Sequence, residues 1–64
     1  MKLPLETIAA IHLESAADGM DCAADHLLDL KTKEARQHAK EMIGAAKMAR
    51  QWARELRRSA EEAK

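Results

Sequence analysis

Between Lys33 and Ala63 the apolar positions recur with a period that suits a helix. Ala35, Met42, Ala49, Leu56 and Ala63 fall at every seventh residue. Ala39, Ala46, Ala53 and Ala60 form a second such series, and His38, Ala45, Trp52 and Ser59 a third. At about 100° per residue the three series share one side of a helix, with Arg and Lys opposite. No Pro interrupts the run, and Gly44 is its only poor helix former. The pattern predicts a long amphipathic helix over about residues 33–63 whose contact side is mostly alanine.

The first half repeats the theme with larger side chains. Ala9, Leu13, Ala16, Met20, Ala23, Leu27 and Leu30 alternate spacings of four and three, the seam of a helix packed in coiled-coil fashion. Glu14, Asp18, Asp21, Asp25 and Asp29 take the opposite side, and Ala17, Ala24 and Leu28 flank the seam. Pro4 suits a first helical turn, where its missing N–H costs nothing. The predicted helix covers about residues 4–30. Asp18-Gly19 is a turn signal, but the seam passes through it without a change of phase.

Continuing that seam past Leu30 would bring Glu34, Gln37, Glu41 and Gly44 onto the apolar side, whereas the second helix uses Ala35, Met42 and Ala49. The two stripes are out of phase, and Thr32 can cap a new helix with Glu34 in its first turn. A tight turn at about residues 30–32 follows. The expected fold is all-α: one domain, residues 1–64, folded as an antiparallel helical hairpin with helices about 40–45 Å long.

A chain of 64 residues buries little apolar surface, and its single Cys forms no internal disulfide. Both helices carry apolar arcs wider than one helix–helix contact needs. A homo-oligomer is therefore expected, most simply a dimer forming a four-helix bundle, with larger rings of hairpins still open. Leu13, Met20 and Leu27 of the first helix and Met42, Ala49, Trp52 and Leu56 of the second are the expected oligomer interface. The lone Cys, the lack of a signal-peptide pattern and the short apolar runs point to a cytoplasmic protein with no membrane partner.

The formal net charge is zero, but it is unevenly divided. Residues 1–30 carry Lys2 against Glu6, Glu14, Asp18, Asp21, Asp25 and Asp29, a net of −5. Residues 31–64 carry ten Lys or Arg against Glu34, Glu41, Glu55, Glu61 and Glu62, a net of +5. Such halves are expected to lie side by side, within one chain or between chains.

Three groups of residues are candidates for chemistry. Cys22 and His26 share a helix side, and His38 comes opposite them across a turn near residue 31. A thiolate and two imidazoles suit zinc, with Glu34 or Glu41 as a fourth ligand, although Cys-x-x-x-His also arises by chance. Arg36, Lys40, Lys47, Arg54 and Arg58 line the outer side of the second helix, with Arg50 and Arg57 on its shoulder. That stripe suits phosphates or, equally, the acids of a neighbouring first helix. Zero net charge and the lack of stacking aromatics argue against nucleic acid. Trp52, the only aromatic, is either a core anchor or the base of a ligand pocket. Nothing points to an enzyme: there is no Ser, His and acid at plausible spacing, no Gly-rich phosphate loop, and no paired carboxylates in an apolar setting.

In the second half Thr32-Lys33-Glu34 opens the helix, and Ala45, Met48 and Trp52-Ala53 follow. This stretch of about 20 residues resembles the helical-hairpin family of phage proteins that sequester cyclic-nucleotide immune signals, the anti-CBASS sponges. The chain departs from that pattern in lacking an acidic pair before the Trp and a Trp directly after the Met, and in having an extra helical turn before the Trp. The resemblance implies a viral protein, built as a ring of hairpins whose basic residues grip nucleotide phosphates between subunits. The residues by themselves point to a non-enzymatic interaction protein that binds a macromolecular partner. The alternatives are a sponge for phosphorylated ligands and a small metal-binding bundle.

Overall fold

A threonine and a left-handed lysine place the turn. The computed structural model describes residues 3–62, with α1 spanning Leu5–Asp29 and α2 spanning Lys33–Glu62. The Thr32 hydroxyl accepts from the Ala35 N–H at 3.1 Å, and its carbonyl accepts from Arg36 N–H at 3.1 Å. The expected N-cap is therefore in place. Leu30 and Lys31 close α1 by donating their N–H groups to the carbonyls of Leu27 and Leu28. Lys31 does so with φ of 57°, the conformation usually given to glycine just past a helix.

At the other end Pro4 precedes α1 rather than joining its first turn, and its carbonyl accepts from Thr7 and Ile8. Asp18-Gly19 does not break the helix. Ala63, the last member of its heptad series, lies outside the described residues.

The two helices pack along their lengths as an antiparallel hairpin with Cα extents of 49 × 18 × 10 Å, a slab with two broad faces. From α2 the seam takes Ala35, Ala39, Ala46, Ala49, Ala53 and Ala60, all buried, with Met42 and Leu56 half-buried between them. Two of the three heptad series thus lie inside the hairpin. The third does not: His38, Ala45, Trp52 and Ser59 remain exposed.

From α1 the seam takes Ala10, Ala17 and Ala24, fully buried, with Leu13, Met20 and Leu27 half-buried. This corrects the expected stripe, in which Ala9, Ala16, Ala23 and Leu30 accompanied Leu13, Met20 and Leu27. Ala9 and Ala16 are exposed, and Leu30 is 63% exposed. The Leu and Met positions have alanines on both sides, one row four residues before them and one row three before. Burying the second row rotates α1 so that Glu14 and Asp21, expected on the outer side, stand beside the arginines of α2. Charge settles what spacing left open.

The resulting core is thin. Every buried side chain among the described residues is alanine, and no larger one is fully enclosed. A methyl-sized group removed from water contributes about 0.8 kcal/mol, against about 1.5–3 kcal/mol for a fully buried Leu or Met.

Two substitutions at the turn check this account in opposite directions. Thr32→Ala removes the cap and is expected to destabilise the fold by about 1 kcal/mol. Lys31→Gly relieves the left-handed residue and is expected to stabilise it by about 0.5–1 kcal/mol. Urea unfolding followed by circular dichroism measures both.

Candidate functional site

The slab's two broad faces differ in chemistry, and each follows from one flank of the seam. On the first face the flanking positions are ionic. Arg57 grips Glu14 with two nitrogens, Nε donating to Oε2 at 3.1 Å and Nη2 to Oε1 at 2.5 Å. Arg50 Nη2 lies 2.9 Å from Asp18 Oδ1 and 2.6 Å from Asp21 Oδ2. The acidic and basic halves do lie side by side within one chain, joined at these two arginines.

The hydrogen bond and charge of Arg57 hold the Glu14 carboxyl below its ordinary value against the opposing effect of desolvation. Glu14 raises Arg57 in return, and Asp21 and then Asp18 raise Arg50. Because these groups are exposed, the pairs orient the helices more than they stabilise them.

Outside this row of pairs lie Arg36, Lys40, Lys47, Arg54 and Arg58, the predicted phosphate-binding stripe. All five are exposed, and none meets a carboxylate of a described residue within ion-pair distance. Lys40, Lys47 and Arg54 recur at seven-residue spacing, so they form one column along α2.

The second face carries no ion pair between the helices among the described residues. A groove of about 500 Å³ runs along it, lined by Met20, Leu27, His38, Glu41, Met42 and Ala45. Trp52, half exposed at 50%, continues the column of His38 and Ala45 that borders the groove. Met48, 45% exposed, stands in the next column between Glu41 and Glu55. Across from them α1 offers Ala9, Ala16, Ala23 and Leu30, then Leu5, His12, Gly19 and His26. None of these is an Asp, Glu, Lys or Arg.

Of the residues expected to join copies, Leu13, Met20, Leu27, Met42, Ala49 and Leu56 are thus seam residues of one hairpin. Met20, Leu27 and Met42 also floor the groove, and Trp52 alone stands clear of the seam.

The metal site is not assembled within the chain. No group of three or more His, Cys, Asp or Glu among the described residues is placed to hold a metal ion. Cys22 lies two positions before Ala24, and so about 160° round the helix from a buried residue, exposed on the outer side. His38 instead borders the groove and lies 3.8 Å from Glu41. Helix phase thus parts Cys22 from His38, which sequence spacing drew together. No described helix is long and apolar enough to cross a membrane.

Comparison with protein-family models, curated proteins and solved structures finds no match to this chain.

The ionic face has a titration consequence. Glu14 has a lowered folded pKa, so its contribution to stability is present above its ordinary value of 4.5 and is lost as pH falls through the folded value. Carboxyl-carbon NMR titration should find Glu14 half-protonated below pH 4.5, and Arg57→Ala should move it back toward that value. An unchanged titration in the variant would remove Arg57 as the cause.

Proposed function

We propose that this chain is a non-enzymatic interaction protein: a helical hairpin that associates with a second copy as a four-helix bundle and presents its charged face to a macromolecular partner. One observation carries the reading. The hairpin fully encloses only alanines, while Trp52 and Met48, together on the uncharged face, stay 50% and 45% exposed. Soluble monomers rarely leave much contiguous apolar surface uncovered, and chains this small commonly complete their cores by association. The partner-facing surface under this reading is the mixed one, where exposed Asp25 and Asp29 of α1 lie on the same molecule as the basic column of α2.

A second reading has its own support in the five basic side chains that meet no carboxylate among the described residues. These would serve a sponge for cyclic nucleotides or other phosphorylated ligands, held through Arg36, Lys40, Lys47, Arg54 and Arg58.

Two measurements separate the readings. Sedimentation velocity across micromolar concentrations is expected to show a species heavier than the 7.1 kDa chain, and a folded monomer would rule out self-association. A thermal-shift screen with cyclic nucleotides supports the sponge if any raises the melting temperature, and removes it if none does.

A further inference from the structure

The uncharged face carries more than apolar surface: its two rows are complementary to each other. Heights along the hairpin are fixed by contacts within one chain, since Ala17 clusters with Ala46 and Ala49, and Met20 and Leu27 share the groove with His38 and Ala45. On that scale His38, Ala45 and Trp52 of α2 do not stand level with Ala9, Ala16, Ala23 and Leu30 of α1. They fall about half a heptad out of step, each near a gap between two members of the α1 row. In the outer columns the nearest members are Glu41 and His26, Met48 and Gly19, and Glu55 and His12, each pair about two to three residues, roughly 3–4 Å, apart in height. Large is nearest to small, and carboxylate nearest to imidazole.

Within one hairpin these pairs sit on the far edges of the slab and do not touch. A two-fold axis parallel to the helices would bring them together. Such an axis leaves every residue at its own height and exchanges left for right, so α2 of one copy lies over α1 of the other. We propose that the occupant of this face is a second copy of the chain, docked about that axis. The proposal rests on the self-association reading above and specifies its face and symmetry.

In this arrangement Trp52 enters the gap between Ala9 and Ala16 of the partner, as a knob enters a hole. Met48 covers the bare backbone at the partner's Gly19, where a Cβ would meet nothing within 4 Å in the single chain. Glu41 and Glu55, which accept from Gln37 and Gln51 of their own chain at 3.4 Å, then face the partner's His26 and His12 as well. The two grooves face each other across the axis, and Met20, Leu27 and Met42 from both copies become the central layers that one hairpin lacks. The ion-paired face stays outside. A two-fold axis perpendicular to the helices, by contrast, would set Glu41 near the partner's Glu55, two like charges.

Cysteine pairing tests the geometry. In a Cys22→Ser background, Gly19→Cys with Met48→Cys should oxidise to a covalent dimer on a non-reducing gel, because those positions meet only between copies. Met48→Cys alone should stay monomeric on the same gel. A covalent dimer from Met48→Cys alone, or none from the double variant, would overturn this docking while sedimentation still reports a dimer. A monomeric mass for the parent chain would overturn the self-association reading as well.

Charge reversal gives a second measurement that needs no new cysteine. His26→Glu should weaken the dimer by about tenfold, and adding Glu41→Lys should restore it. Failure of that rescue, with both variants folded by circular dichroism, contradicts the pairing of His26 with Glu41.

Discussion

The whole structure depends on the contact between two alanine rows. Ala10, Ala17 and Ala24 meet a column of alanines from α2, and such small side chains let two helix backbones approach closely. Close approach has a cost in content. An interface of methyl groups removes little apolar area from water, so the hairpin's larger residues are left at its margins rather than between its helices. Leu13, Met20, Leu27, Met42 and Leu56 are half-covered for that reason, and Trp52, outside the seam, is 50% exposed. The open groove and the thin core are one fact seen from two sides.

Charge then decides how the thin core is used. Apolar spacing in α1 allows two rotations about its axis, and only one of them sets Glu14 and Asp21 beside Arg57 and Arg50. Exposed ion pairs contribute little stability each, commonly under about 1 kcal/mol. A choice between two otherwise similar rotations needs no more than that. The same rotation brings Glu14 and Asp21 from the outer side to the arginines, and the rows on the opposite flank of α1 carry no Asp, Glu, Lys or Arg. The orientation follows from the placement of three acids and two arginines.

Much of this was legible in the sequence, and the rest was not for identifiable reasons. The 35/42/49/56 and 39/46/53/60 series of α2 read directly as its seam, because no competing apolar row lies beside them except the one led by His38. Thr32 as the cap and continuity through Asp18-Gly19 were also legible, since capping chemistry and phase are local. The α1 seam is ambiguous in the sequence because Ala9, Ala16 and Ala23 offer the same period as Ala10, Ala17 and Ala24. Only the long-range pairing to α2 distinguishes the rows. The Cys22, His26 and His38 set was drawn together by spacing alone, and helix phase places Cys22 on the outside. The groove has no sequence signature, because it arises where small residues of two helices leave a gap between larger ones.

Under the proposed docking, an alanine seam this thin does not by itself hold the fold, and a second copy completes the core. Thermal unfolding followed by circular dichroism over a hundredfold range of protein concentration tests this most directly. A chain stabilised by association unfolds at a midpoint that rises with concentration, because mass action favours the assembled state. That rise is the expected result for this chain. A cooperative transition with the same midpoint at every concentration would show that the isolated hairpin is sufficient, and would contradict it.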